Sequence, residues 1–256
     1  MENLTLDNLY SGKATKIKGK EYLPTEAYID PFINICKKWT DEFIVDAVEA
    51  DQLSIINNED NMIYNRVYIQ AVLPDTIFDN HKQVLGMIYA LDTKIPVVKL
   101  FTGGLNMACT NLCVFNPDAI QVNQLEENVV PNFNFLNNCG EMLDEVVNKL
   151  HKITTSTIPN TKEMATDSLG YWIDNAIRVS QNNEFAKVKL ATSDVITAYK
   201  NLFLNSKSDY YQNPNNAEIS VFDVYNSFTD TICNSKKSDM ITKPEKVLLV
   251  SDILGL

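Results

Sequence analysis

Asn61–Leu73 reads NMIYNRVYIQAVL, and this stretch decides the fold class. Ile63, Arg66/Val67 and Ile69 are set among Tyr64 and Tyr68, an alternating run of β-branched and aromatic side chains that suits a strand. Asn57-Asn58 before it and Pro74-Asp75 after it supply turn chemistry. Working outward, three more apolar stretches follow at Val84–Leu91, Ile95–Phe101 and Leu105–Phe115. Thr102-Gly103-Gly104 between the last two reads as a hairpin-type turn, because glycine takes positive φ without steric cost. From Glu21 to Phe115 the expectation is therefore a β-rich region.

The period then changes. Residues 116–139 (NPDAIQVNQLEENVVPNFNFLNNC) are rich in Asn, Gln and Pro and read as a connector with little regular structure. Beyond it Leu143, Val146/Val147 and Leu150 recur at helical spacing within Glu141–Ile153. Further helices are expected from Thr161 or Lys162 to about Ser180 and over Glu184–Leu204. A fourth begins at Ser220, which with Asp223 three residues on makes an S-x-x-D cap for the unpaired first-turn amides. Behind it Val221, Val224, Tyr225, Phe228 and Ile232 form one apolar stripe, expected against the sheet. Strands first and helices after mean an α+β fold, with a β-rich N-terminal half and a helical C-terminal half packed on the sheet. The organisation expected is a polar lysine-rich arm over residues 1–20, then one α+β domain over 21–256, helical from 140 onward.

The 256 residues are 45% hydrophobic and 21% charged, enough apolar surface for a substantial core and far from the composition of a disordered chain. Apolar runs such as VLLV and IPVV fall far short of the ~20 residues of a membrane span. The N-terminal sequence has no apolar signal core, so a cytoplasmic chain without membrane contact is expected. Acids outnumber bases 33 to 22, for a net charge of −11. Such a field repels nucleic-acid backbones in general. Against it, Lys13, Lys16, Lys18 and Lys20 fall within eight residues that hold no acid. They are either a solvated arm or a contact for nucleic acid or an acidic partner.

Enzyme motifs are missing from the sequence. Gly103-Gly104 lacks the spacing and the Lys-Ser/Thr of a phosphate loop, and no G-x-S-x-G or H-E-x-x-H occurs. His81 and His151 are the only histidines, which limits any histidine base to two candidates. Cys109-Thr-Asn-Leu-Cys113 lies among Met107, Leu112, Val114 and Phe115, so buried structural thiols are the plain reading. A zinc site completed by Cys139 and His81, or a Cys–His nucleophile, is the alternative. The paired acids, such as Glu126-Glu127 and Glu141 with Asp144/Glu145, read as solvated faces. No cofactor, metal or catalytic residue is assigned.

Two segments carry a resemblance. Ala108-Cys109-Thr110-Asn111-Leu112, after a β-rich region, resembles the C-[ST]-N signature of a phage- and plasmid-encoded family of unknown function. Ile219–Ile232 (ISVFDVYNSFTDTI) is similar to that family's closing YNAFT-type helix. The chain departs from the family where an arginine precedes the cysteine (Asn106-Met107 here) and where a Ser-His-Asp-Gly turn lies upstream. The resemblance implies a phage or mobile-element setting and no particular reaction. Physically, Asn111 suits a side chain holding local backbone, and Asn226 an amide bonded at a helix–sheet contact, with Tyr225 and Phe228 packing beside it. The expected function is a non-enzymatic accessory role in nucleic-acid transactions such as replication or recombination. The alternatives are a protein–protein module (a virion component or an acidic inhibitor of a host defence protein) and a metal-dependent nuclease or nucleotide hydrolase. DNA or another phage or host protein is the partner class, and a homo-oligomer stays open.

Overall fold

The computed structural model describes residues 5–9, 15–17, 20–49, 64–91, 93, 96–108, 111–159, 162–182, 188–205, 209–212, 218–233 and 237–254. The alternating stretch quoted first becomes the centre of a sheet. In chain order the strands are β1 (Thr15–Ile17), β2 (Lys20–Tyr22), β3 (Phe43–Glu49), β4 (Tyr64–Phe78), β5 (His81–Ala90), β6 (Val97–Asn106), β7 (Leu112–Cys113), β8 (Ile120–Gln124), β9 (Thr157–Pro159) and β10 (Glu218–Ser220). The helices are α1 (Thr25–Cys36), α2 (Leu143–Thr155), α3 (Lys162–Asn182), α4 (Thr192–Tyr199, continued by a π turn to Leu204), α5 (Asp209–Gln212), α6 (Val221–Cys233) and α7 (Lys243–Leu254). β3-β4-β5-β6-β7 form an antiparallel sheet, and β8 shares the outer side of β6 with β7.

Alternation along the strands supplies two apolar faces. Tyr68, Val72, Val84, Ile88, Phe101 and Leu105 point into a core shared with α2, α3, α4, α6 and α7. Val67, Ile69, Ala71, Leu85, Met87, Tyr89, Val98 and Leu100 point the other way, against α1 and the Phe133–Cys139 segment. The helical half is thus packed on the β-rich half, as the pattern predicts. The second cover, α1, interrupts the stretch expected to be all strand. Tyr28, Ile29, Phe32, Ile33 and Cys36 follow helical spacing there and are buried, with Pro31 inside the helix.

Several local readings change. Gly103-Gly104 is no turn: both residues lie in β6, and a Cβ at Gly103 would run into the carbonyl oxygen of Cys113. The glycine permits close approach of β7, a use that sequence cannot tell from a turn. Pro74-Asp75 stays within β4 at a register shift between Val72 and Thr76. The connector contains β8 and a 3-10 segment, Asn134–Met142. The N-terminal arm is tied in at two points, by buried Leu9 and by the β1–β2 pairing. α7 is buried nearly all round, so it lacks the one-sided stripe that marks a surface helix. Among the described residues no helix is long and apolar enough to cross a membrane.

Candidate functional site

Strand register assembles a buried polar group at one end of the sheet. His81 on β5 stands opposite Asn106 on β6, and the Asn106 amide donates to the Asn111 carbonyl at 3.0 Å. His81, Asn106 and Asn111 therefore form one row across β5, β6 and the residue that leads into β7, and all three are buried. Helix α6 closes this row. Phe222 meets the His81 ring edge-on at 5.7 Å, and Asn226, one turn along the same helix face, accepts a 3.1 Å hydrogen bond from Asn111 Nδ2.

The chemistry of the row follows from its burial. His81 Nδ1 lies 3.2 Å from the Phe78 carbonyl, which can only accept, so this nitrogen carries the proton. Its Nε2 is then a lone-pair acceptor, buried and without a partner among the described residues, and so is Asn111 Oδ1. Burial lowers the His81 pKa, partly offset by the Phe78 carbonyl and Asp79, and keeps the ring neutral near pH 7. The Asn106 side chain is occupied locally, accepting from the Ala108 amide at 2.9 Å.

The two segments that carry the family resemblance meet at this row. Besides the Asn111–Asn226 bond, Phe115 stacks on Tyr225 at 5.3 Å, and the Leu112 amide points at Cys233 Sγ at 3.5 Å. Tyr225 and Phe228 are fully packed. Val224, Tyr225, Phe228 and Ile232 of the α6 stripe are buried, mostly within the helical layer, where Phe228 meets Trp172 edge-on at 5.3 Å; the helix meets the central sheet at β7 and, through Phe222, at His81 of β5. At the helix start the Ser220 amide donates to Tyr210 Oη at 3.0 Å, and that hydroxyl donates to Asp223 at 2.6 Å. A tyrosine bridges the two ends of the expected cap.

The remaining candidates are scattered. Lys13, Lys18 and Cys109 lie outside the described residues; Lys16 is described only by its main chain in β1, and Lys20 is exposed on β2. Cys113 and Cys139 belong to cores on opposite sides of the sheet, which separates two of the four zinc ligands considered above. Among the described residues no three His, Cys, Asp or Glu side chains are grouped to hold a metal ion. Burial pushes the Cys36 and Cys139 thiols up to about 12, away from reactive thiolate.

One buried pair is barely signalled in the sequence. Lys99 on β6 forms an ion pair with Glu245 in the first turn of α7 and donates to the Ile241 carbonyl at 2.7 Å. Their side chains are 8% and 2% exposed. The one available signal is a lone lysine inside the apolar run IPVVKLF. No family model, curated protein or solved structure matches the chain.

Proposed function

We propose that the chain is a phage or mobile-element accessory protein that works in the host cytoplasm in nucleic-acid transactions, without catalysing a reaction itself. The single observation behind this reading is the union of its two resemblance segments. Asn111 and Asn226 are 115 residues apart in sequence and hydrogen-bonded in space, which supports treating them as parts of one motif. Nucleic-acid contact falls to Lys13, Lys16, Lys18 and Lys20, since the acidic body repels phosphate.

Gel shifts of the full chain with single- and double-stranded DNA at low salt test this. Binding at micromolar protein is expected, with a log–log salt slope of about −3 to −4 if all four lysines meet phosphates. Replacing the four with alanine should abolish it. No binding by the unaltered chain would sink the reading. A protein–protein module is the second reading, favoured by the exposed acids Asp118, Glu126 and Glu127 around β8. A metal-dependent nuclease or nucleotide hydrolase draws no support from the described acids, which do not converge.

A further inference from the structure

We infer that the outer edge of β8 is a docking site for an extended, basic polypeptide segment, which would add a strand to the sheet there. This goes beyond the nucleic-acid reading and does not depend on it. In an antiparallel ladder, alternate residues turn both main-chain groups to the same side. The Leu125 amide donates to the Pro96 carbonyl at 2.8 Å, and the register pairs Val98 with Asn123 and Leu100 with Gln121. Leu125, Asn123 and Gln121 therefore face β6, while Ile120, Val122 and Gln124 face outward. The Ile120 amide is taken by the Pro117 carbonyl, which leaves the amides and carbonyls of Val122 and Gln124 as the open edge. Both residues are exposed, Val122 to 47%. Among the described residues no strand pairs with this side of β8.

Charge selects the occupant. Protein edges are usually guarded by charged residues or proline, yet residues 119–125 (AIQVNQL) contain neither. The guards stand at the ends instead: Asp118 before the strand, Glu126 and Glu127 after it, all exposed. None of the three has an ion-pair partner among the described residues. A second copy aligned antiparallel about Val122 would bring Asp118 against the acids of its mate, an unfavourable pairing. A segment with lysine or arginine flanking β-branched residues meets both features: main-chain pairing gives affinity, and the acidic ends give sign.

The probe is a fluorescein-labelled seven-residue peptide of alternating lysine and valine, blocked at both termini, titrated with the full chain and followed by anisotropy. Two controls accompany it, one with alternate amides N-methylated and one with glutamate for lysine. The parent peptide should bind, and the N-methylated one should bind about tenfold more weakly or worse, the equivalent of one or two lost hydrogen bonds. The glutamate version should not bind. Val122→Pro removes an outward amide that the β6 ladder does not use, so the variant should keep its melting profile and lose about tenfold in affinity. Asp118→Asn with Glu126→Gln and Glu127→Gln should weaken binding and flatten its salt dependence. Equal binding of the parent and N-methylated peptides would overturn the proposal, as would unchanged binding by Val122→Pro or no binding to the unaltered chain. A concentration-dependent dimer lost in Val122→Pro would assign the edge to a second copy and overturn it too.

Discussion

The two faces of the central sheet are equally apolar but are covered by different means. One carries α1 and the Phe133–Cys139 segment, elements close in sequence to the strands they shield. The other carries helices drawn from the last 114 residues of the chain, from Leu143 onward. Directional contacts concentrate on that second side. Glu245 of α7 reaches Lys99, Ser251 donates to the Val114 carbonyl, Asn175 of α3 donates to the Ile253 carbonyl, and Asn226 of α6 receives Asn111. The α1 face has some directional contacts too, such as Gln83 Nε2 donating to the Cys139 carbonyl at 3.4 Å, but leans more on shape, as in the stacked pair Tyr28–Tyr89 at 5.3 Å. Apolar burial has no preferred direction, so several stacked helices could slide on one another. Polar contacts fix their seating, while a single helix across a twisted sheet needs fewer of them.

Core truncation tests this contrast with the largest expected effect. Phe228→Ala removes a ring wedged against Trp172 and should cost toward the upper end of about 3–5 kcal/mol. Phe32→Ala under α1 should fall near the lower end, because one helix can settle into the gap more easily than several braced ones. Urea midpoints at constant slope would measure both. A larger loss at Phe32 would break the comparison.

The buried ion pair sharpens it next. Glu245→Ala strands the Lys99 ammonium in the core and should cost about 3–5 kcal/mol. Lys99→Met combined with Glu245→Leu should return stability to the parent value or above, since replacing a buried pair by apolar side chains is often neutral or better. If the pair serves to seat α7, the double variant will be stable yet show faster amide exchange in α7. Unchanged exchange would leave the pair without that role.

Much of this contrast was legible in the sequence on one side only. β4, β5 and β6 announce themselves through Tyr68, Val84, Ile88 and Val98, because period-two alternation is a local property. The α6 stripe is equally local. α1 hides behind Pro31, a residue normally read as ending a helix. α7 hides because a helix buried on all sides has no polar face to set its period. β8 is short and amide-rich, like the loop residues around it. Of the candidate site, the resemblance singled out Asn111 and Asn226, but nothing local joins them to His81 or pairs Lys99 with Glu245, 146 residues away. Those contacts are products of register and helix packing, and both are set by the whole chain.

His81 on the helical side and two thiols on the α1 side should respond to pH in opposite senses. His81, beneath Phe222, has its pKa lowered from 6.5 by burial. The unfolded chain takes up that proton first as pH falls, so the contribution of neutral His81 is present above about 6.5 and is lost in acid. Cys36 and Cys139 on the α1 face behave in the opposite sense. Their thiols stay protonated up to about 12 when folded, against 9.0 in water. Their contribution is complete below about 9 and disappears as pH rises from there toward 12. Urea midpoints across pH should therefore show His81→Gln flattening the acid limb alone and Cys36→Ala the alkaline limb alone. A variant that flattened the other limb would contradict the assignment.

The smallest expected effect concerns the amide pair itself. Asn111→Ala removes the donor to Asn226 Oδ1 together with the orphan Asn111 Oδ1, so part of the cost of losing the bond is offset by removing an unsatisfied buried acceptor. A net loss of about 0.5–1.5 kcal/mol follows. Asn226→Ala instead leaves Asn111 with both ends of its amide unpartnered in a buried site, and should cost more, about 1–3 kcal/mol. The order of the two single variants, with Asn226 the costlier, is the diagnostic result, because a purely steric role would favour the more deeply buried Asn111. Combining them should cost about as much as Asn226→Ala alone, leaving a coupling of about 1 kcal/mol in a double-mutant cycle. The same cycle on Tyr28 and Tyr89 across the sheet offers the comparison, since a stacked pair of that kind couples at about 0.5–1.5 kcal/mol without any polar bond. Similar coupling on both sides would mean that direction and shape fix their helices equally well. A coupling near zero at Asn111–Asn226 would mean that α6 is seated by Tyr225 and Phe228 alone, and the amide pair would then lose its role in joining the two motif segments.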